Sequence, residues 1–280
     1  MDNAIAGRVA RLCARQRESW GDMQRTTPLS AGVNACVLKL VTSARVLVLR
    51  VFLQPHAASD TPAEVMTQRL AAAAGIAPPV VLWDPSEQVL VMEWLDAPPW
   101  TVAQLQTVEG LSQCAHTFKV LHQLPLPSQC LLPPFDWQSQ FAHYASAPAV
   151  RAHPLGRAVF QRVAQLLPLK SPRDVCLVHH DPIIDNLLGQ SPVQLIDWEY
   201  AGLNDPLFDL VALARYHALT DAQAEALLSG YGFAGDWAEF THLGQLFDAL
   251  HWLWCVANQR FASFNPAQRD EFERAVSSAG

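Results

Sequence analysis

Strand-forming signals are confined almost entirely to the first third of the chain, and this separation limits the folds that it can adopt. Four runs rich in β-branched residues predict strands at residues 37–42, 45–52, 80–83 and 88–94. One helix is predicted between the second and third strands, beginning near Pro62 and ending at Gly75. Beyond a linker at residues 94–100 the pattern is helical, near residues 101–109, 112–123, 153–167, 206–218, 221–230 and 235–258, with two short strands at 175–179 and 194–199.

This order of elements predicts an α+β fold with two lobes. Residues 1–95 are expected to form a small antiparallel β-sheet with one helix. Residues 96–280 are expected to form a larger, mainly helical lobe. A linker between two such lobes is a common place for a ligand-binding cleft.

The composition disfavours several classes of partner. Hydrophobic residues make up 50% of the 280 and charged residues 16%, so much of the chain is expected to be buried. The formal net charge of −7 disfavours nucleic acid, whose phosphates require a basic surface, and suits a cationic substrate. No apolar run is long enough to insert into a membrane, and the six cysteines occur singly, which is typical of reduced thiols. We therefore expect a cytoplasmic protein, whose oligomeric state the sequence does not predict.

Two segments of the helical half contain the residue types that phosphoryl transfer requires. Residues 178–188 contain the pattern H-x-D-x-x-x-x-N, and Asp197 follows Asp181 by 16 positions. The reaction needs a carboxylate to orient the attacking hydroxyl, oxygen ligands for Mg²⁺, and a cation on the phosphates. Asp181 suits the first role, Asn186 and Asp197 suit the second, and Arg50 in a predicted strand suits the third.

These segments, and residues 195–210 (LIDWEYAGLNDPLFDL) in particular, resemble the aminoglycoside phosphotransferase and choline kinase superfamily, which has the protein-kinase-like fold. The sequence is most similar to bacterial choline and ethanolamine kinases and to thiamine kinases, over nearly its whole length. The resemblance implies an ATP- and Mg²⁺-dependent kinase in which Asp181 is the catalytic base and Asn186 and Asp197 are metal ligands. It also implies that His179 supports the catalytic loop and that Asp209 buttresses it from the following helix.

In the first lobe the resemblance implies a set of nucleotide contacts. Arg50 is similar to the phosphate-gripping arginine of the choline kinase branch, and Glu64 would be its ion-pair partner. The loop before the first predicted strand would cover the phosphates with Gly32 and Asn34, although Ala31 stands where a glycine is common. The last strand of the lobe is similar to the hinge that binds the adenine edge, with candidate contacts at Met92, Glu93 and Leu95.

Candidate substrate contacts lie in or near the helical half. Trp252 and Trp254 are two residues apart on a predicted helix, so they point in different directions and at most one faces a given pocket. An aromatic core and a wall that binds a cation by cation–π contact are both compatible with this pair. The remaining candidates are Trp198, Glu199 and Asp205.

The leading hypothesis is a kinase that phosphorylates the hydroxyl of a small metabolite, choline or ethanolamine narrowly ahead of thiamine. An aminoglycoside or another small alcohol is the first alternative, and a nucleotide-binding pseudokinase is the second. A protein kinase is disfavoured, because Asp197-Trp198-Glu199 is not D-F-G and no A-P-E segment follows it.

Overall fold

The computed structural model describes residues 2–31, 35–53, 62–126, 132, 134–167, 174–189, 191–261 and 264–278. The chain divides into two compact units. The first comprises Met1–Pro98 with Gln194–Glu199, and the second comprises Pro99–Val193 with Tyr200–Gly280.

The first unit is built on an antiparallel sheet that has five strands among the described residues. The strands are β1 (Met23–Ala31), β2 (Ala35–Thr42), β3 (Val46–Phe52), β4 (Val80–Asp84) and β5 (Val89–Glu93), in the order β1-β2-β3-β5-β4. Because side chains alternate along a strand, Leu47, Leu49 and Val51 of β3 enter one buried core. Arg50 lies on the opposite face of β3 and is only 6% exposed.

Three helices accompany this sheet in the described part of the unit: α1 (Asn3–Arg15), α2 (Arg17–Trp20) and α3 (Ala63–Ala73). Helix α1 is capped by the Asp2 side chain, which accepts from the N–H of Ala4 at 3.1 Å. Its buried residues recur on one face of the helix and join the core of the sheet: Ile5, Val9, Leu12 and Cys13.

Arginines of α1 hold the turn between β4 and β5. The Arg8 guanidinium donates to the backbone carbonyls of Phe52 at 2.8 Å, Glu87 at 2.6 Å and Gln88 at 2.8 Å. The Arg11 guanidinium forms a two-point ion pair with the Glu87 carboxylate, at 2.9 and 2.7 Å. The amino-terminal helix is therefore anchored to the sheet by polar as well as apolar contacts.

The second unit is mainly helical. Its described helices are α4 (Val102–Leu105), α5 (Val108–His122), α6 (Trp137–Ser146), α7 (Pro148–Ala152), α8 (Gly156–Leu166), α9 (Leu207–Tyr216), α10 (Asp221–Tyr231), α11 (Trp237–Asn258) and α12 (Pro266–Ser278). Helix α9 is buried from Leu207 to Ala214, and α11 contributes Trp252 and Leu253 to a core with α6, α7, α8 and α12. The predicted combination of a small antiparallel sheet and a larger helical part is confirmed.

Short strands carry the segments with the sequence motifs. Strand β6 (Cys176–Val178) pairs antiparallel with β9 (Gly202–Asn204), and β7 (Leu187–Leu188) follows a 3₁₀ turn at Ile184–Asn186. The strand predicted at residues 194–199 is shorter than expected, because β8 comprises only Gln194–Leu195. Asp197 has φ +63°, in the left-handed region, which is incompatible with an extended strand.

None of the helices in the described ranges is both long and apolar enough to cross a bilayer.

Candidate active site

The loop after β6 is fixed by a buried carboxylate on α9. Asp209, which is fully buried, accepts the backbone N–H of His179 through Oδ2 and that of His180 through Oδ1, both at 2.9 Å. Its Oδ2 also lies 3.1 Å from Nε2 of His122. Burial alone would raise the pKa of Asp209, but the hydrogen bond from His122 and the charges of the surrounding histidines lower it below its ordinary value. The structure thus places Asp209 where a buttress of this loop is expected.

The two histidines of the loop have different partners. His180, which has φ +67°, lies with Nδ1 2.8 Å from the carbonyl oxygen of Tyr200 and Nε2 3.0 Å from Nδ2 of Asn204. A carbonyl can only accept, so Nδ1 carries the proton and Nε2 accepts from the amide. Burial lowers the pKa of His180 to about 4. Nδ1 of His179 accepts the backbone N–H of Asp181 at 3.3 Å, so this histidine also shapes the loop from within.

Asn186 is oriented by Asp181. Its Nδ2 donates to the backbone carbonyl of Asp181 at 2.9 Å and to Oδ2 of the Asp181 carboxylate at 3.1 Å. Because both hydrogens of the amide are directed toward Asp181, the amide oxygen Oδ1 points away from it. The pair therefore presents a carboxylate and an amide oxygen in a defined arrangement.

Two further residues contact the same loop and were not predicted from the sequence. Tyr216 lies near the Asp181 carboxylate: burial, and after it the charge of that carboxylate, raise the pKa of Tyr216 well above its ordinary value. Nε2 of His217 lies 3.2 Å from the carbonyl oxygen of Pro182, to which it donates. The available signal was their position, seven and eight residues after Asp209 on a predicted helix, which returns to the same side after two turns.

In the first unit, three carboxylates surround one guanidinium. Arg50 forms an ion pair with Glu64 through Nε, lies 3.1 Å from Asp197 Oδ1 through Nη1, and lies 3.2 Å from Glu199 Oε2 through Nη2. Burial raises the pKa of Glu64 to about 7; the Arg50 charge opposes this rise, and the charges of Asp197 and Glu199 add to it. The structure therefore brings Arg50 and Glu64 together, as expected.

The donor types at these positions fit a magnesium ion. Asp197 in the first unit offers a carboxylate oxygen and Asn186 in the second unit offers an amide oxygen, and each is a hard donor of the kind that Mg²⁺ takes. The three carboxylates around Arg50 leave an excess of negative charge that a divalent cation would offset. No group of three or more His, Cys, Asp or Glu arranged to hold a metal occurs among the described residues. Mg²⁺ usually relies on one or two protein carboxylates, with substrate phosphates as further ligands.

The predicted adenine-binding segment lies at the end of β5. Met92 and Glu93 are the last residues of the strand, and the N–H of Glu93 is donated to the carbonyl of Pro79 at 3.0 Å. The next N–H, of Trp94, is donated to Val46 at 3.3 Å. For the N–H of Leu95 no acceptor is found within the described part of the chain. The expected phosphate-loop residues Gly32 and Asn34 lie outside the described residues.

The aromatic candidates are placed differently from one another. Trp252 has no exposed surface, and its Nε1 donates to Glu273 at 2.9 Å, so it is a core residue and not the wall of a substrate pocket. Trp198 is 1% exposed, so its side chain is likewise buried in the protein interior. Trp254 is partly exposed at the edge of the core. Asp205 accepts the N–H of Leu207, the first residue of α9, at 2.8 Å.

A family model and a short curated match agree with these features. The model of the family described as "Phosphotransferase enzyme family" matches residues 25–243. Protein LicA of Haemophilus influenzae is 43% identical over 54 residues, which are 19% of this chain and 20% of that protein. The chain thus matches only about a fifth of the length of this curated relative.

Solved structures with the same fold cover most of the chain. The choline kinase LicA from Streptococcus pneumoniae has a TM-score of 0.69 and 20% identity, over 96% of this chain and 98% of that one. A spectinomycin phosphotransferase, solved with ADP and spectinomycin, has a TM-score of 0.66 and 14% identity, over 96% of this chain and 93% of that one. At these identities the likeness shows the fold alone.

Proposed function

The chain belongs to the phosphotransferase enzyme family, and from this we propose that it is a small-molecule kinase that phosphorylates a nitrogen-bearing alcohol with ATP and Mg²⁺. Choline or ethanolamine is the leading acceptor, and thiamine is the next. The observation that carries the proposal is the Asp181 carboxylate, which is held by Asn186 at 3.1 Å on a loop fixed from below by Asp209.

We assign Asp181 the role of catalytic base. Its carboxylate orients the acceptor hydroxyl and takes its proton as the alcohol oxygen bonds to the γ-phosphorus and ADP departs with the electrons of the broken bond. Asn186 keeps the carboxylate in position through its amide hydrogens, while its amide oxygen and the Asp197 carboxylate would hold the metal. When bound, Mg²⁺ would neutralise charge on the β- and γ-phosphates.

Arg50 is proposed to bind the nucleotide phosphates. Its guanidinium is kept in place by Glu64, so its remaining N–H groups can turn from Asp197 and Glu199 to phosphate oxygens. The N–H of Leu95, for which the described residues offer no acceptor, is proposed to donate to the adenine ring, with Met92 and the Glu93 backbone beside it. The ADP complex of the spectinomycin phosphotransferase supports a nucleotide as cofactor.

The choice of acceptor rests on charge, on aromatic residues and on relatives. The net charge of −7 favours a cation over an anion, and the partly exposed Trp254 and the exposed Glu199 remain candidate contacts for it. The matched choline kinase acts on an acceptor of this type according to its name, whereas the spectinomycin enzyme favours the alternative of an aminoglycoside-type acceptor. The proposed cytoplasmic location rests on the sequence, in which the six cysteines occur singly and form no C-x-x-C pair.

The proposal is tested by ADP release from Mg–ATP with choline, ethanolamine, thiamine and spectinomycin as separate acceptors. The Asp181→Asn variant and a sample with EDTA run beside the wild-type protein. Stimulation by one acceptor, lost in both controls, is the expected result. Binding of ATP without stimulation by any acceptor would favour a pseudokinase, and stimulation by spectinomycin alone would favour the aminoglycoside alternative.

A further inference from the structure

A chain of hydrogen bonds connects helix α10 to the proposed catalytic loop (residues 179–186) by way of two other helices. The hydroxyl of Tyr231, the last residue of α10, lies 3.0 Å from Nδ1 of His122, the last residue of α5. Nε2 of His122 lies 3.1 Å from Oδ2 of Asp209, which is in the first turn of α9. Asp209 accepts two backbone N–H groups of the loop, both at 2.9 Å, directly before the proposed base. Tyr231 is thus connected to the loop through His122 and Asp209.

The chemistry of the carboxylate determines the direction of these hydrogen bonds. Burial raises the pKa of Asp209, but the hydrogen bond from His122 and the charges around it lower the pKa below its ordinary value, so the group is ionised and can only accept. Nε2 of His122 therefore carries a hydrogen and donates it. In the neutral ring Nδ1 then has a lone pair, to which the Tyr231 hydroxyl donates. Tyr231 thus favours the tautomer of His122 that can donate to Asp209.

The His122 ring is held by packing as well as by hydrogen bonds. Its side chain is only 2% exposed. The Phe118 ring, one turn earlier on α5, stacks on the imidazole with centroids 5.9 Å apart and planes at 16°. Gly230 permits a close approach of α10 to α5, because a Cβ at this position would lie 3.2 Å from a side-chain carbon of α5. This approach places the Tyr231 hydroxyl within reach of Nδ1.

We propose that His122 is a positioning residue for the proposed catalytic loop, which acts through Asp209 and whose donor nitrogen is kept directed at that carboxylate by Tyr231. Without this donor, a fully buried carboxylate would lose one of its partners, and its pKa would rise. A protonated carboxyl group accepts less well at one of its oxygens, so it would hold the two loop N–H groups less firmly. The inference rests on the proposed role of Asp181 as the base on this loop.

The kinetic test compares three variants on α5. His122→Phe removes the donor but keeps a ring, His122→Gln keeps an N–H donor, and His116→Phe is the matched control at an exposed position of the same helix. With the acceptor that stimulates the wild-type protein, we expect His122→Phe to lower kcat by about 10- to 100-fold at an unchanged KM for ATP, because a misplaced base slows the transfer step and not nucleotide binding.

The conservative variant separates the hydrogen bond from the bulk of the side chain. His122→Gln should recover kcat to within about fivefold of wild type, and His116→Phe should stay within about twofold. Equal kcat values for His122→Phe and His116→Phe would overturn the inference. Equal losses in the Phe and Gln variants of His122 would also overturn it, because the donor would then not be the property that matters.

The pH dependence of kcat gives a readout that a merely structural role would not change. Asp209 is faced by His122 from α5 and by His179 and His180 from the loop, and its charge also acts on Cys176 of β6. Because His122 lowers the pKa of Asp209, its removal raises that pKa, and the carboxylate takes up a proton earlier as the pH falls. The acidic limb of the kcat profile should therefore move to higher pH in His122→Phe. An acidic limb that coincides with that of wild type would contradict the inference.

A tautomer measurement needs no turnover. Long-range ¹H–¹⁵N spectra of the labelled protein identify the His122 ring by the signals that are absent from His122→Phe. We expect the hydrogen on Nε2 in wild type, and a changed Nδ1 resonance in Tyr231→Phe, since that nitrogen loses its donor. A hydrogen on Nδ1 in wild type, or an unchanged Nδ1 resonance in Tyr231→Phe, would overturn the inference. A wild-type protein that phosphorylates no acceptor would instead refute the proposed function, and the spectra would still test the contacts of His122.

Discussion

The Asn186 side chain donates both to the backbone carbonyl and to the carboxylate of Asp181, at 2.9 and 3.1 Å. These two contacts close the five-residue interval of the D-x-x-x-x-N pattern into a compact unit. Asn186 is therefore expected to serve two purposes, holding the base with its nitrogen and the metal with its oxygen.

Replacing Asn186 by Ala should impair the reaction in both respects. We expect kcat to fall by about 100-fold or more, since a catalytic carboxylate loses its orientation, and the Mg²⁺ concentration for half-maximal rate to rise. Steady-state rates over a magnesium titration measure both effects. Asp185→Ala is the matched control, because Asp185 is the preceding, exposed residue of the same 3₁₀ turn. Equal rates for both variants would count against the assignment of Asn186.

Replacing Arg50 by Met should weaken nucleotide binding. The guanidinium is the cation that we assign to the phosphates, and charge-assisted hydrogen bonds of this kind support an affinity loss of about tenfold or more. Binding of a non-hydrolysable ATP analogue, measured by calorimetry, checks this. Arg25→Met serves as the control, since Arg25 is exposed on β1. Unchanged affinity in the Arg50 variant would exclude the phosphate role.

The pair Arg215–Asp248 should matter for stability. Arg215 Nε lies 2.8 Å from Asp248 Oδ1, and burial raises the pKa of Asp248 while the Arg215 charge opposes the rise. Arg215→Met leaves this carboxylate buried without its partner, so we expect a loss of about 3 kcal/mol in the free energy of unfolding. The exposed pair of Arg17 and Asp22, 2.7 Å apart, provides the comparison. Arg17→Met should change denaturant midpoints little, and equal losses in the two variants would contradict the prediction.

The stability of the protein should depend on pH through His251. Burial lowers its pKa to about 4, against an ordinary value near 6.5, so the unfolded chain takes up this proton first as the pH falls. Stability is therefore lost below pH 6.5, by about 2 kcal/mol between pH 7 and pH 5.

The comparison of wild type with His251→Phe isolates this contribution, since His180 and Glu64 titrate equally in both proteins. Glu64, with its raised pKa, gains stability over the same interval and would otherwise mask the effect. Urea unfolding at pH 7, 6 and 5 measures the difference. Parallel pH profiles for wild type and variant would show that His251 is not buried in its neutral form.

The sequence predicts the elements but not the tertiary contacts of the candidate site. The local sequence pattern was sufficient to predict the strand that carries Arg50 and helix α9, because hydrophobic periodicity determines both elements. The sequence did not predict β1, because its polar residues and Pro28 are typical of a loop. It also did not predict α1, although the helical spacing of its apolar residues was present. The contact of His217 with Pro182 depends on how α9 meets the loop, which no local pattern encodes.

The placement of Trp198 and Trp252 illustrates the same limit. A tryptophan on an amphipathic element can face either a core or a cavity, and its residue type suits both. The backbone of Asp197 is another case, since a positive φ at an aspartate is not evident from the neighbouring apolar residues.

The anchoring of α1 has a consequence for the order of events during synthesis. Arg8 donates to carbonyls 79 and 80 residues further along the chain, at Glu87 and Gln88. On the ribosome, the amino-terminal helix therefore lacks these two anchors until the turn between β4 and β5 has emerged, and its docking is incomplete before that point. We expect the apolar face of α1 to be open to chaperones throughout that interval, and protection of its amides in a pulse-labelled nascent chain to begin only then.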